Sequence, residues 1–190
     1  MSSADTGAHV ARIESVARPV GAIRATDVEG WFRELGLEPA ERAEREHAAS
    51  WDLVLDGRRR FDLRVTVILE PALGIICWAH FAPPISDMFR KSYRKLLRWN
   101  DEFPFAKFSV SEDERPVIAV ELPLDLASAD QLGLALARIL GIADRLLEES
   151  KDWIWLGGRI PETGGRVSAN LALLDRYAAR LPELADVAEA

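Results

Sequence analysis

The sharpest polar feature of the sequence is a run of cations: Arg90, Lys91, Arg94, Lys95 and Arg98. Spacings of one, three and four put them on one side of a helix, and no acidic residue interrupts between Asp87 and Asp101. Such a face binds anions: nucleic acid, phosphate or an acidic peptide. The plainer reading is a solvated outer face opposite an apolar stripe, in a chain whose net charge is −7. Arg58, Arg59 and Arg60 either extend this patch or make a soluble hairpin tip.

Other side chains that do chemistry are sparse. The histidines, His9, His47 and His80, show no pair at metal-ligand spacing, so no metal or cofactor is expected. The lone Cys77 sits among apolar neighbours in a strand-like run, where a free cysteine packs as a small hydrophobe. There is no Gly-x-Ser-x-Gly elbow, no P-loop and no strand-linked Gly-x-Gly-x-x-Gly. Glu121 lies within a strand and is the one carboxylate placed for catalysis, though a sheet-face or edge role suits it better. No nucleophile–base pair is visible, and the chain is expected not to be an enzyme. Gly157-Gly158-Arg159 and Gly164-Gly165-Arg166 offer a weak anion cradle or ordinary turns. Trp153 and Trp155 alternate with Ile154 and Leu156, as in an extended segment. They either cover the domain's own apolar groove or offer an edge to another chain. With the five cations, they are the candidate partner-binding residues.

The elements that must position these groups follow from periodicity. Val28, Trp31, Phe32 and Leu35 make a core-facing helical stripe, opened by a capping box over Thr26 to Glu29. Ala40 to His47 is charged and reads as a linker or helical extension. Strands are expected over 50–56, 61–69 and 75–81; the second alternates cleanly, with Phe61, Leu63, Val65, Val67 and Leu69 on one face. The basic helix runs from Asp87 to about Glu102, with Ser92, Tyr93, Leu96, Leu97 and Asn100 in its buried stripe. Strands over 107–111 and 116–122 follow, then a helix over 127–150. The fold class is α+β: a five-stranded antiparallel sheet with helices packed on it, in the order α-β-β-β-α-β-β-α. Residues 1–24 read as a flexible or loosely docked tail and 25–150 as the domain. Residues 151–190 read as an extension with the tryptophans, the glycine-rich loop and a final helix over about 168–181.

Composition narrows the function classes. A pI near 5.1 disfavours bulk attraction to nucleic acid. One cysteine excludes an internal disulfide and fits a reducing compartment. No signal-peptide pattern opens the chain and no apolar run approaches the ~20 residues of a membrane span, so a cytoplasmic protein is expected.

The stretch from Thr66 to Ser150 resembles the YbjN family, which shares the type III secretion chaperone-like fold. The residues that carry the resemblance are Arg94-Lys95-Leu96-Leu97-Arg98-Trp99-Asn100, Ala106-Lys107-Phe108-Ser109-Val110, Val120-Glu121-Leu122-Pro123-Leu124, and the helix Leu132–Leu147 with Ala143-Asp144-Arg145. The resemblance implies a non-enzymatic, homodimeric protein-binding module of adaptor or chaperone-like type, its partner a protein. The alternative is an anion or nucleic-acid binder using the face from Arg90 to Arg98.

Overall fold

A computed structural model describes residues 23–85, 90–150 and 164–181. Nearly all of the expected N-terminal tail, and Trp153, Trp155 and the loop through Thr163, lie outside the described residues.

Helix α1 (Ala25–Glu34) is followed by strands β1 (Glu41–Arg45), β2 (Ala48–Leu55), β3 (Leu63–Glu70) and β4 (Gly74–His80). Helix α2 (Arg90–Glu102) leads to β5 (Lys107–Val110) and β6 (Pro116–Leu122). Helices α3 (Ala129–Ser150) and α4 (Leu171–Tyr177) follow, the last running into a single 3₁₀ turn, Ala178–Arg180. The strands form one sheet in the order β1-β2-β3-β4-β6-β5, with every neighbouring pair antiparallel.

The α+β class and the antiparallel sheet are as expected, but the sheet has six strands, not five. The additional one is β1, in the segment that reads as linker or helix. All five of its side chains are exposed, so no apolar alternation marks it. A two-residue turn at Glu46-His47 returns the chain to pair Arg45 with Ala48, and the unpaired edge of β2 supplies its ladder. Backbone pairing offered by a neighbour overrides the favourable helix propensity of Glu, Arg and Ala.

Alternation along β2, β3 and β4 sends Trp51, Leu53, Val65, Val67, Ile75, Cys77 and Ala79 to one buried face. Phe32 of α1 meets Trp51 edge-on at 5.7 Å. Helix α3 buries Leu132, Leu136, Ile139, Leu140, Ala143, Leu146 and Leu147, as its stripe predicts. Leu173, Leu174 and Tyr177 of α4 join the same core. The other face of the sheet carries Ile68, Ile76, Trp78 and His80, all half-buried. The cap of helix α1 lies two residues earlier than expected, at Arg24 rather than Thr26. Asp27, not Glu29, closes its first turn, accepting from the Arg24 backbone N–H at 2.9 Å.

Candidate functional site

Helix α2 decides what the cations can do. Its buried stripe is Ser92, Leu96 and Trp99, continued by Phe103. Trp99 packs on Phe81 and Phe108 at ring distances of 6.2 and 5.5 Å. Leu97, expected inward, is 69% exposed. The helix turns about 100° per residue, so with Ser92, Leu96 and Trp99 inward, Leu97, about 200° from Trp99, faces out. The outer face therefore reads Arg94, Leu97, Arg98, at the three- and four-residue spacing that makes helical neighbours. Arg94, Lys95 and Arg98 are all exposed. Among the described residues, no carboxylate pairs with Arg94 or Arg98. Arg90 and Lys91 contribute backbone to the first turn. Beyond the helix end Phe105 is 79% exposed, with Arg138 stacked over its ring at 5.2 Å. The result is a cationic strip with apolar side chains in and beside it.

Asn100 ties this helix to the sheet. Its amide oxygen accepts from the Phe108 backbone N–H at 2.7 Å, and its amide nitrogen donates to the Phe108 carbonyl at 3.2 Å. One side chain thus does the work of a neighbouring strand along the outer edge of β5. Asn100, expected in the buried stripe, is exposed, and its side chain bonds to the edge strand rather than packing in the core.

A second polar cluster joins α3 to the β2–β3 turn. Asp144 is 2% exposed and its carboxylate accepts from three consecutive backbone N–H groups: Arg58 at 2.6 Å, Arg59 at 2.8 Å and Arg60 at 2.6 Å. Burial pushes its carboxyl above the ordinary carboxylate range, against the pull of those donors. Gly57 is required here, since a Cβ would sit 2.4 Å from the Asp144 Oδ1. The neighbouring Asp56 accepts from the backbone N–H of Asp62 and of Ala169, while its own N–H donates to the Asn170 side chain at 2.7 Å. Arg58 reaches Asp175 at 2.6 Å, and Arg166 holds Asp62 at 2.5 Å while stacking on Phe61. The three arginines of this turn are thus parts of a joint that holds the segment from Arg166 onward. Arg166 is committed to that joint; Gly157, Gly158 and Arg159, the other half of the glycine loop, lie outside the described residues.

The remaining candidates resolve simply. Glu121 is an exposed sheet-face carboxylate paired across strands with Lys107 at 2.5 Å. Cys77 is fully buried, and burial pushes its thiol up to about 12, far from a reactive thiolate. His80 lies edge-on to Trp78 at 4.8 Å, its pKa lowered by burial and then by nearby Arg115. Among the described residues no group of three or more metal-binding side chains converges, and no helix is long and apolar enough to cross a membrane.

An open antiparallel sheet, with Asp144 fixing a turn, Asn100 an edge and a cationic helix face at one side, defines an α+β domain. A profile of the YbjN family, described as "Putative bacterial sensory transduction regulator", matches residues 24–151, about two thirds of the chain. The chain belongs to the YbjN family, one of regulatory or binding modules and not a known enzyme family. No curated protein matches it.

Proposed function

We propose that this chain is a protein-binding module, a cytoplasmic homodimeric adaptor or chaperone-like factor of the type III secretion chaperone-like kind. The observation that carries the reading is the outer face of α2, where Leu97 stands exposed between Arg94 and Arg98. Leu97 gives that face an apolar anchor as well as charge. An extended or helical segment with acids flanking one apolar side chain is its complement. The domain's sensory-regulator family supports a regulatory partner rather than a substrate.

The test is affinity capture with cross-linking, using the full chain, R94E/R98E and L97D. Cross-links concentrated on α2, lost in both variants while the fold persists by circular dichroism, are expected. Equal capture by all three chains removes α2 from the site. Retention of the wild type on heparin, lost in R94E/R98E and steeply salt-dependent, would instead favour the anion or nucleic-acid alternative.

A further inference from the structure

The two edges of the sheet are treated differently. On the β5 side, the Asn100 side chain occupies both backbone groups of Phe108. On the β1 side, the terminal strand has all five side chains exposed and no strand beyond it among the described residues. Its sequence is Glu41-Arg42-Ala43-Glu44-Arg45. Charged residues on an edge ordinarily deter pairing. This set is also complementary to itself.

If a second copy of β1 is laid antiparallel with Ala43 opposite Ala43, then Glu41 faces Arg45 of the second copy, and Arg42 faces Glu44. The two-fold axis generates the other two pairs. Every opposed pair is opposite in sign. Slipping the register by one residue sets Glu41 against Glu44 or Arg42 against Arg45. Slipping it by two sets Arg42 or Glu44 against itself. Cross-strand opposite charges stabilise a pair and like charges destabilise it, so one register is selected and its neighbours are penalised. The small side chain at the centre lets the strands close without a clash.

The faces agree as well. Arg42 pairs in register with Trp51, on the side of the sheet that packs the helices, and it reaches Glu29 of α1 at 2.8 Å and Glu44 at 3.0 Å. Glu41 pairs with Asp52 on the opposite face, where Arg64 stands 3.8 Å from it. The charges of β1 are therefore already held in a network that a second copy would extend.

The geometry points to β1 as a homotypic interface: two copies join edge to edge through antiparallel β1 strands, merging their six-stranded sheets into one. This rests on the homodimer proposed above and assigns the surface that makes it.

The test uses the full chain and two single-sign variants, R42E/R45E and E41R/E44R, followed by sedimentation velocity over a micromolar concentration range. The wild type is expected to be dimeric, each variant alone monomeric and folded by circular dichroism, and an equimolar mixture of the two variants to form a heterodimer. The variant A43C is expected to cross-link to its own copy on mild oxidation, since Cβ atoms of directly opposed residues lie ~4.5–5.5 Å apart and the native Cys77 is buried. A wild type that stays monomeric overturns both this interface and the homodimer. A dimer that survives in both single-sign variants, with A43C uncrosslinked, overturns only the β1 assignment and leaves the homodimer to another surface. Cross-linking of A43C without heterodimer formation by the mixed variants would refute the charge register as its cause.

Discussion

Replacing Asp144 should loosen one corner of the protein and spare the rest. In Asp144→Ala, the N–H groups of Arg58, Arg59 and Arg60 lose their acceptor together. An orphaned buried donor costs ~1–3 kcal/mol. The turn is half-exposed at Arg59 and Arg60, so water recovers part of this and the low end applies. Relief from burying a carboxylate also subtracts. The expected loss is about 2–3 kcal/mol, or roughly 4–12 °C in Tm for a chain of this size. Asp144→Asn keeps one accepting oxygen but turns an amide NH₂ toward an N–H, so it should lose about half as much. Gly57→Ala should cost a further ~1–3 kcal/mol in the wild type, because its Cβ would meet the carboxylate. In an Asp144→Ala background that clash is gone. Urea melts of the four chains in this cycle therefore carry the decision. A Gly57→Ala cost that is the same with and without Asp144 would mean that the turn tolerates no side chain for some other reason. An Asp144→Ala loss under ~1 kcal/mol would mean that the three N–H groups are solvated well enough without it.

Asn100→Leu should leave α2 packed but free the outer edge of β5, costing ~2 kcal/mol for two unmatched backbone groups. Hydrogen exchange should accelerate at the Phe108 amide more than at any other β5–β6 position, and uniform protection would contradict the edge-clamp role. His80 should make the fold acid-sensitive. Its native pKa is lowered from 6.5, so the unfolded chain takes up the proton first. Stability is then full above 6.5 and falls as pH drops from 6.5 toward the native value. His80→Gln should flatten that slope in melts between about pH 7.5 and 5.5, and an unchanged slope would assign it to other groups.

The parts of the fold that were legible in the sequence share one property: their side chains report burial. Phe61 to Leu69 alternates, and the strand is there; Leu132 to Leu147 repeats at helical spacing, and the helix is there. Where side chains do not report burial, periodicity is silent. Strand β1 is held by backbone pairing to β2 with every side chain in water, so nothing apolar marks it. Leu97 and Trp99 lie on different faces of α2, and a stripe drawn through Leu96 and Leu97 is rotated away from the one that Ser92, Leu96 and Trp99 bury. The cationic face was legible as spacing, but Leu97 in its midst was not. Asp144 and Asn100 belong to the segments that carry the family resemblance, yet their partners lie 84 to 86 and 8 residues away in sequence. The bonds of Asp144 depend on how α3 lies across the turn, which no local pattern encodes. The glycine before three arginines was the available clue, since a glycine there requires a close approach by something.

The two proposed surfaces lie at opposite sides of the sheet, and this has a consequence for how the protein would act. Helix α2 packs beside β5, the last strand in the order, while β1 is the first. With strands ~4.8 Å apart, five spacings separate them by roughly 24 Å before twist is counted. A dimer joined at β1 therefore leaves both α2 faces uncovered and holds them on the order of 50 Å apart. A single short acidic segment cannot reach both. Two such segments on one partner, or on a partner that is itself dimeric, can, and the second contact is then made at an effective concentration set by the spacing. If both proposed surfaces act, weak binding at each α2 face would become firm binding by a paired target, with selectivity set by the distance as well as by the charges. Such spacing would rest on the Asn100 clamp at one end and on the proposed β1 register at the other. A loose α2 or a slipping edge would average the distance away.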